Sequence, residues 1–215
     1  MKNQVITDDH KRAQRAHDDL LTLGRLSVEL AKVQRRPRYP DGHRENDSEH
    51  SFHLSLSAIE LAADYYPELD IGLVAQFSLV HDLPEIYAGD VWTFSISDED
   101  RAKKEEAERR ATQKLMTELP THTAQLLKRY EKQIEPEAKF VRFVDKLLPA
   151  IINIMAGDAC TFKEDNGVIT TDDAHAGHKI RTARYQAMFP EFPFIHMVRE
   201  LVSKTSVDHV FNRNK

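Results

Sequence analysis

An all-α fold is predicted by three features of this chain. Apolar residues recur at helical spacing along most of its length, only 7 of 215 residues are glycine, and no convincing strand alternation appears. Residues 9–35 carry Leu20, Leu21, Leu23, Leu26, Val28, Leu30 and Val33, which concentrates the apolar positions of the first helix in its second half. Residues 36–46 hold Pro37, Pro40 and Gly42 and are expected to be a loop. Asp47 or Ser48 can cap a second helix running to about Tyr66. After the turn at Pro67–Asp70 a third helix is expected from Ile71 to about Asp82, with Pro84 opening a short continuation.

Residues 89–98 should form a loop, and Ser97-Asp-Glu-Asp opens a long charged helix reaching about Leu119. Pro120 breaks it, and a shorter helix follows to about Ile134. Pro136 sits in the first turn of one apolar helix expected over 136–156, with Phe140, Phe143, Val144, Leu147, Leu148, Ile151 and Ile152. Residues 157–169 read as an exposed loop. Two final helices cover about 171–189 and 194–211, separated by Phe189-Pro-Glu-Phe-Pro193.

The length suits one domain over residues 1–215, with its core at about 20–155 and the C-terminal helices at 171–211. Apolar residues make up 40% and charged residues 30%. A net charge of -5 carries no basic footprint and argues against duplex nucleic acid as a partner. The lone Cys160 cannot form an internal disulfide, which suits a reducing compartment. The first residues lack the apolar core of a signal peptide, and no apolar run approaches the ~20 residues of a membrane span. The expectation is a cytoplasmic protein that does not engage a membrane.

Chemistry concentrates around His81-Asp82, which ends the apolar run from Ile71. A charged aspartate at the end of a buried helix is costly unless paired or bound to a metal. Imidazole and carboxylate together suit a divalent transition metal, so the dipeptide points to a hydrolytic metal site. A second such pair, His17-Asp18, follows no apolar run and reads as a solvated face. His50 and His53 share a helix face; His53 reads as an ordinary partly buried position, and His50 gains weight only from its company. Asp145 lies in the most apolar helix and is either a buried acid paired with Lys146 or an arginine, or a last metal ligand. Glu85 is one turn beyond His81, and Asp90 follows Gly89 where a carboxylate can reach over a pocket. His175 and His178 read as a surface pair, and most charges of 98–119 as a solvated face.

The order His50 … His81-Asp82 … Asp145 resembles the pattern of the HD-domain metal-dependent phosphohydrolases, a superfamily with an all-helical bundle fold. Arg35-Arg36-Pro37, then Glu45-Asn46-Asp47-Ser48-Glu49-His50-Ser51, then His81-Asp82-Leu-Pro-Glu85 and Gly89-Asp90, resemble the YfbR-like 5'-nucleotidases more narrowly. The resemblance covers about residues 20–155. It implies a cytoplasmic enzyme that releases phosphate from nucleoside, chiefly deoxyribonucleoside, 5'-monophosphates. It implies one divalent metal ion (Mn, Co, Zn, Mg, Fe or Ni) on His50, His81, Asp82 and Asp145. Glu85 matches a carboxylate acting on the attacking water, Asp90 one at the scissile phosphate and leaving group, and Arg35 a phosphate-gripping arginine.

Arg36 replaces a tryptophan that the family often places against the sugar, and Trp92 offers a ring for base stacking. Dinuclear relatives add two histidines between the His-Asp pair and the last aspartate. Only His122 occurs there, which favours a single metal. Two alternatives accompany this expectation: a nucleoside triphosphate triphosphohydrolase, for which Arg36, Arg38 and Arg44 supply extra charge, and a non-catalytic nucleotide-binding or interaction module. The apolar surplus of the helices near 136–156 and 194–211, together with the habit of related nucleotidases, predicts a homodimer.

Overall fold

The structure, a computed structural model, describes residues 8–89, 98–157 and 170–212. Its elements are α1 (Asp8–Leu30), β1 (Gln34–Arg38), β2 (Arg44–Asn46), α2 (Asp47–Tyr65), α3 (Ile71–Val80), α4 (Glu85–Ala88), α5 (Asp98–Met116), α6 (Thr121–Lys132), α7 (Pro136–Asp145), α8 (Leu148–Ala156), α9 (Thr171–Met188) and α10 (Pro193–Asn212). The expected helical architecture is present. No helix among the described residues is long and apolar enough to cross a membrane.

Two elements depart from expectation. Residues 34–46 form an antiparallel hairpin, pairing Gln34 with Asn46 and Arg38 with Arg44 across an irregular register. The turn closes through Tyr39 N to His43 O and Gly42 N to Tyr39 O, both 2.9 Å, while the Tyr39 and His43 rings stack at 4.6 Å. Gly42 takes φ 91°, which side chains other than glycine rarely adopt. The hairpin carries almost no apolar residues, so the strand signal was absent and turn closure and buried charge decide its shape. The expected helix 136–156 is in fact two. Pro149 lacks the N–H that would bond the Asp145 carbonyl, and the chain turns at Lys146–Leu147 between α7 and α8.

The start of α2 is fixed one residue earlier than expected. Asn46 is the cap: its Oδ1 accepts from Ser48 N at 3.0 Å and Glu49 N at 3.1 Å, while Glu49 Oε2 accepts from Asn46 N at 2.9 Å. At α3, Asp70 caps Leu73 N, and its own N–H donates to Glu137 Oε1 of α7 at 3.1 Å. The Asp70–Glu137 bond ties the start of α3 to α7. Helices α2, α3 and α7 pack together, with α6 against α3 and α7.

The core is centred on Phe77 of α3, Phe140 and Phe143 of α7, Leu54 of α2 and Leu127 of α6, all essentially inaccessible to solvent. The linker between α9 and α10 is part of this core. Phe189 stacks on Phe143 at 4.7 Å, and Phe192 meets Phe140 edge-on at 5.5 Å. Buried Arg199 of α10 lies over the Tyr185 ring of α9 at 4.7 Å. Much of the apolar surplus assigned to pairing is therefore spent inside the chain, although Met155, Met197 and Leu201 remain exposed.

The four-residue α4 has no side-chain cap and no buried residue of its own. Neighbours hold it: Tyr87 donates its hydroxyl to Glu118 at 2.7 Å, Glu118 also pairs with Arg25 of α1, and Lys114 lies 3.6 Å from the centre of the Tyr87 ring. Gly89, at φ 72°, ends this helix.

Phe140 joins α7, Tyr66 and Phe192 in one aromatic contact. Phe140→Ala should cost about 3–5 kcal/mol of unfolding free energy, measured by urea denaturation. A loss under roughly 1 kcal/mol would show that this ring does not anchor the α9–α10 linker.

Candidate metal centre

Three helices and the hairpin deliver charged groups to one buried place. His50 lies one turn into α2, so the cap at Asn46 sets where its ring points. His81 and Asp82 follow α3 directly, in a turn that ends where Glu85 N donates to Asp82 O at 2.9 Å. Asp145 is the last residue of α7. Ligand atoms of His50, His81 and Asp82 all lie within 4.8 Å of one another. Asp145 joins them, with Oδ1 3.0 Å from His50 Nε2. The four residues assigned to the metal by resemblance are thus brought together.

The donor set fits a divalent cation. His81 Nδ1 donates to the Ser78 carbonyl at 2.9 Å, the role that leaves Nε2 of a neutral imidazole with its lone pair. That Nε2 is buried, has no hydrogen-bond partner among the described residues and faces Asp82 Oδ2 at 3.0 Å. Two acceptors so close repel unless a proton or cation lies between them. His50 Nε2 is 3.7 Å from the same Asp82 oxygen. Second, negative charge is in excess: Glu45, Asp47, Asp82 and Asp145 face Arg35 and Lys146. Imidazole and carboxylate donors suit Mn, Fe, Co, Ni or Zn.

Arg35 stands in the middle of these acids. Its Nη1 donates to Asp82 Oδ2 at 2.8 Å and to Asp47 Oδ1 at 3.0 Å, its Nε is 3.5 Å from Glu45 Oε2, and its Nη2 is 4.0 Å from Asp145 Oδ1. Only 12% of its side chain is exposed. Glu45, a residue of the family-like motif, and Asp47, an expected cap, are fully buried here. The signal that could have found them is the pairing of Glu45 with Arg35 across a hairpin, which needs the hairpin to be recognised first.

The local charges set the protonation states. Burial and Arg35 push His50 down, but its hydrogen bond to Asp145 and the nearby Glu45 carboxylate outweigh them and raise it to about 9. Burial pushes Asp82 up, and His81, Arg35 and His50 together hold it well below the usual carboxylate range. Burial likewise opposes Asp145, which Lys146, at 2.5 Å, and His50 keep ionised. Tyr130, buried with its ring 6.1 Å from His81, is driven well above 10 by burial and by Asp145 and Asp82, so its hydroxyl keeps its proton.

The remaining expected residues fall as follows. Glu85 opens α4 with Oε2 shut off from solvent. Arg36 is partly buried on β1 beside Arg35. Asp90 and Trp92 lie outside the described residues. His53 and His122 do not join the cluster, and His122 instead meets Gln76 Oε1 at 3.3 Å. The pair His17-Asp18 is exposed and bonded to itself. His178 contacts the Thr182 hydroxyl on α9 at 3.4 Å. A cavity of about 620 Å³ between α1, α2, α3 and α6 is lined by Leu26, Phe52, Leu79 and Leu126, and none of the four clustered residues borders it.

The family model described as HD domain matches residues 28–188. The 5'-deoxynucleotidase HDDC2 of Homo sapiens is 30% identical over 131 residues, 59% of this chain and 63% of that protein. The matched stretch is thus just under two thirds of the curated relative's length. A crystal structure of a predicted metal-dependent phosphohydrolase from Magnetospirillum magnetotacticum superposes with a TM-score of 0.70. It is 24% identical and covers 96% of this chain and 100% of its own, a likeness of fold.

Protonated His50 is the state a metal must displace. Folding holds that proton more tightly than the unfolded chain does, so the pairing stabilises the metal-free fold fully below pH 6.5 and is lost as pH rises to about 9. Metal binding near neutral pH should release about one proton, and apparent affinity should rise about tenfold per pH unit until His50 is neutral. Calorimetry in buffers of different ionisation enthalpy measures this. Metal uptake with no proton released would show that His50 is not a ligand.

Proposed function

The chain belongs to the HD domain family, and from that premise we propose that it is a metal-dependent phosphohydrolase acting on nucleoside, chiefly deoxyribonucleoside, 5'-monophosphates. The observation that carries this reading is the buried meeting of His50, His81, Asp82 and Asp145 beside the Arg35 guanidinium. The human relative, a 5'-deoxynucleotidase, supports the substrate class.

In this reading His50, His81, Asp82 and Asp145 hold one divalent ion. Such an ion supplies Lewis acidity, offsetting charge on the phosphoryl group and acidifying water. The chain's own groups do the rest. Glu85, tied by its backbone to Asp82, accepts a proton from the attacking water. Asp90 positions or protonates the leaving oxygen. The Arg35 guanidinium is 2.8 Å from Asp82, so a phosphate brought to the ligands meets it at once. Arg36 and Trp92 would face the sugar and base. Tyr130 keeps an uncharged aromatic wall against His81. Two copies pairing through exposed Met155, Met197 and Leu201 complete the reading.

The direct test is a nucleotide panel, mono- to triphosphates, with Mn, Co, Mg and Zn supplied separately. Free phosphate from monophosphates is the expected product; release of triphosphate would replace this reading with triphosphohydrolysis. His81→Ala should lose metal and turnover with helical content kept. Glu85→Ala should keep metal and lose turnover. Arg35→Ala should lower turnover of every substrate by a similar factor, about tenfold to a hundredfold for a charge-assisted bond worth roughly 1.5–3 kcal/mol. Full metal occupancy in His81→Ala by elemental analysis would refute the ligand set.

Light scattering addresses pairing. A mass near twice the 24.8 kDa chain is expected at micromolar concentration, and a monomer mass would count against it.

A further inference from the structure

Glu45 has no role in the chemistry above, yet it is a charged carboxylate with no exposed surface. Burying such a group costs several kcal/mol unless its oxygens are engaged. Both its oxygens are sealed from solvent, without a hydrogen-bond partner among the described residues. So is Nδ1 of His50. These orphaned atoms face one another: Glu45 Oε2 is 3.6 Å from His50 Nδ1. The same oxygen is 3.5 Å from Arg35 Nε. One carboxylate thus sits behind both a candidate metal ligand and the candidate phosphate clamp.

We propose that Glu45 is the positioning residue of this centre, accepting the Nδ1 proton of His50 so that Nε2 is presented bare to the metal, and holding Arg35 by its Nε so that the outer nitrogens face the ligands. This rests on the reading of His50 as a ligand.

The physical argument has three parts. An imidazole bound to a metal through one nitrogen carries its proton on the other, and an anionic acceptor there fixes the tautomer and ring orientation and strengthens the donor. Among the described residues His50 Nδ1 faces no other acceptor, since Nε2 is the nitrogen turned to Asp82 and Asp145. The placement is also built into the backbone. Glu45 is the inward residue of β2, one position before the Asn46 cap that starts α2. The hairpin that brings Glu45 inward also brings Arg35, from the facing strand. The gaps of 3.5 and 3.6 Å are slightly beyond a hydrogen bond. Contacts of catalytic groups are often long without ligands and tighten when the site is filled.

Glu45→Gln keeps the shape, removes the charge and turns an N–H donor toward either Arg35 or His50. Zinc and manganese binding are measured directly by competition with a chromophoric chelator, together with the ¹⁵N-coupled imidazole proton signals of His50. In zinc-loaded wild type a far-downfield Nδ1 proton is expected for His50. In Glu45→Gln that signal should move upfield or vanish, and affinity for both metals should fall about tenfold to a hundredfold, with the far-ultraviolet spectrum unchanged. Unaltered affinity and an unaltered Nδ1 signal would overturn the proposal while leaving the ligand set intact. If wild type itself binds neither metal, the ligand reading fails. The Nδ1 signal of the metal-free protein then decides the pairing alone: movement in Glu45→Gln upholds it, and constancy overturns it. Should Glu45→Gln not fold, the wild-type signal still answers, because an Nδ1 proton in the ordinary imidazole range in both metal-free and zinc-loaded protein excludes a carboxylate acceptor.

Discussion

Four carboxylates in one nearly dry place dominate the energetics of this fold. Glu45, Asp47, Asp82 and Asp145 would repel one another and resist desolvation if left alone. Arg35 reaches all four through its three guanidinium nitrogens, His50 is held protonated among them, and Lys146 closes the far side of Asp145. The planar fork of arginine suits this task, since one rigid group can face several acceptors at once. A lysine would supply one point charge. Even so the acids outnumber the cations that face them, and a divalent ion at the remaining donors would redress the excess.

The backbone explains why these groups meet. The clustered residues sit at or near helix ends. Asp82 follows the C-terminal end of α3, and Asp145 closes α7. The carbonyl-rich end of a helix disfavours a carboxylate by a few tenths to about 1 kcal/mol. Both acids therefore sit where the helix field opposes them, and that raises the demand for facing cations. Histidine is suited to the same positions, because it can be neutral toward a metal and charged toward an acid. The short α4, which carries Glu85, is placed by neighbours through Tyr87, Glu118 and Arg25 and not by its own burial.

The aromatic cluster and the charged centre share one element. On α7, Phe140 and Phe143 point into the core while Asp145 ends the helix at the charges. Pro136 at the start and the break before Pro149 limit α7 to 10 residues, which fixes where Asp145 emerges. Packing of α9 and α10 onto Phe140 and Phe143, through Phe189 and Phe192, holds the helix that carries a candidate ligand. Stability and site geometry are therefore coupled through two rings.

The company of His50, His81, Asp82 and Asp145 rests on the resemblance of motifs far apart in the chain. Helical periodicity, proline breaks and the apolar run into His81-Asp82 are local signals, and they suffice for the all-α class, for most helix spans and for His81-Asp82 as a candidate metal site. Each of these is written in residues a few positions apart, where the repeat of 3.6 residues expresses itself directly. The hairpin at 34–46, the enclosure of Arg35 by four acids, the burial of Glu45 and Asp47 and the sinking of Phe189 and Phe192 into the core were decided only by tertiary structure. Those outcomes depend on pairings between distant charges and rings. The energy of a buried charge is set by what surrounds it, not by its neighbours in the chain. Asp145 shows both sides. Its neighbours in the chain allow either a lysine partner or a metal ligand, and the fold brings it within 2.5 Å of Lys146 and 3.0 Å of His50, because one carboxylate has two oxygens to offer.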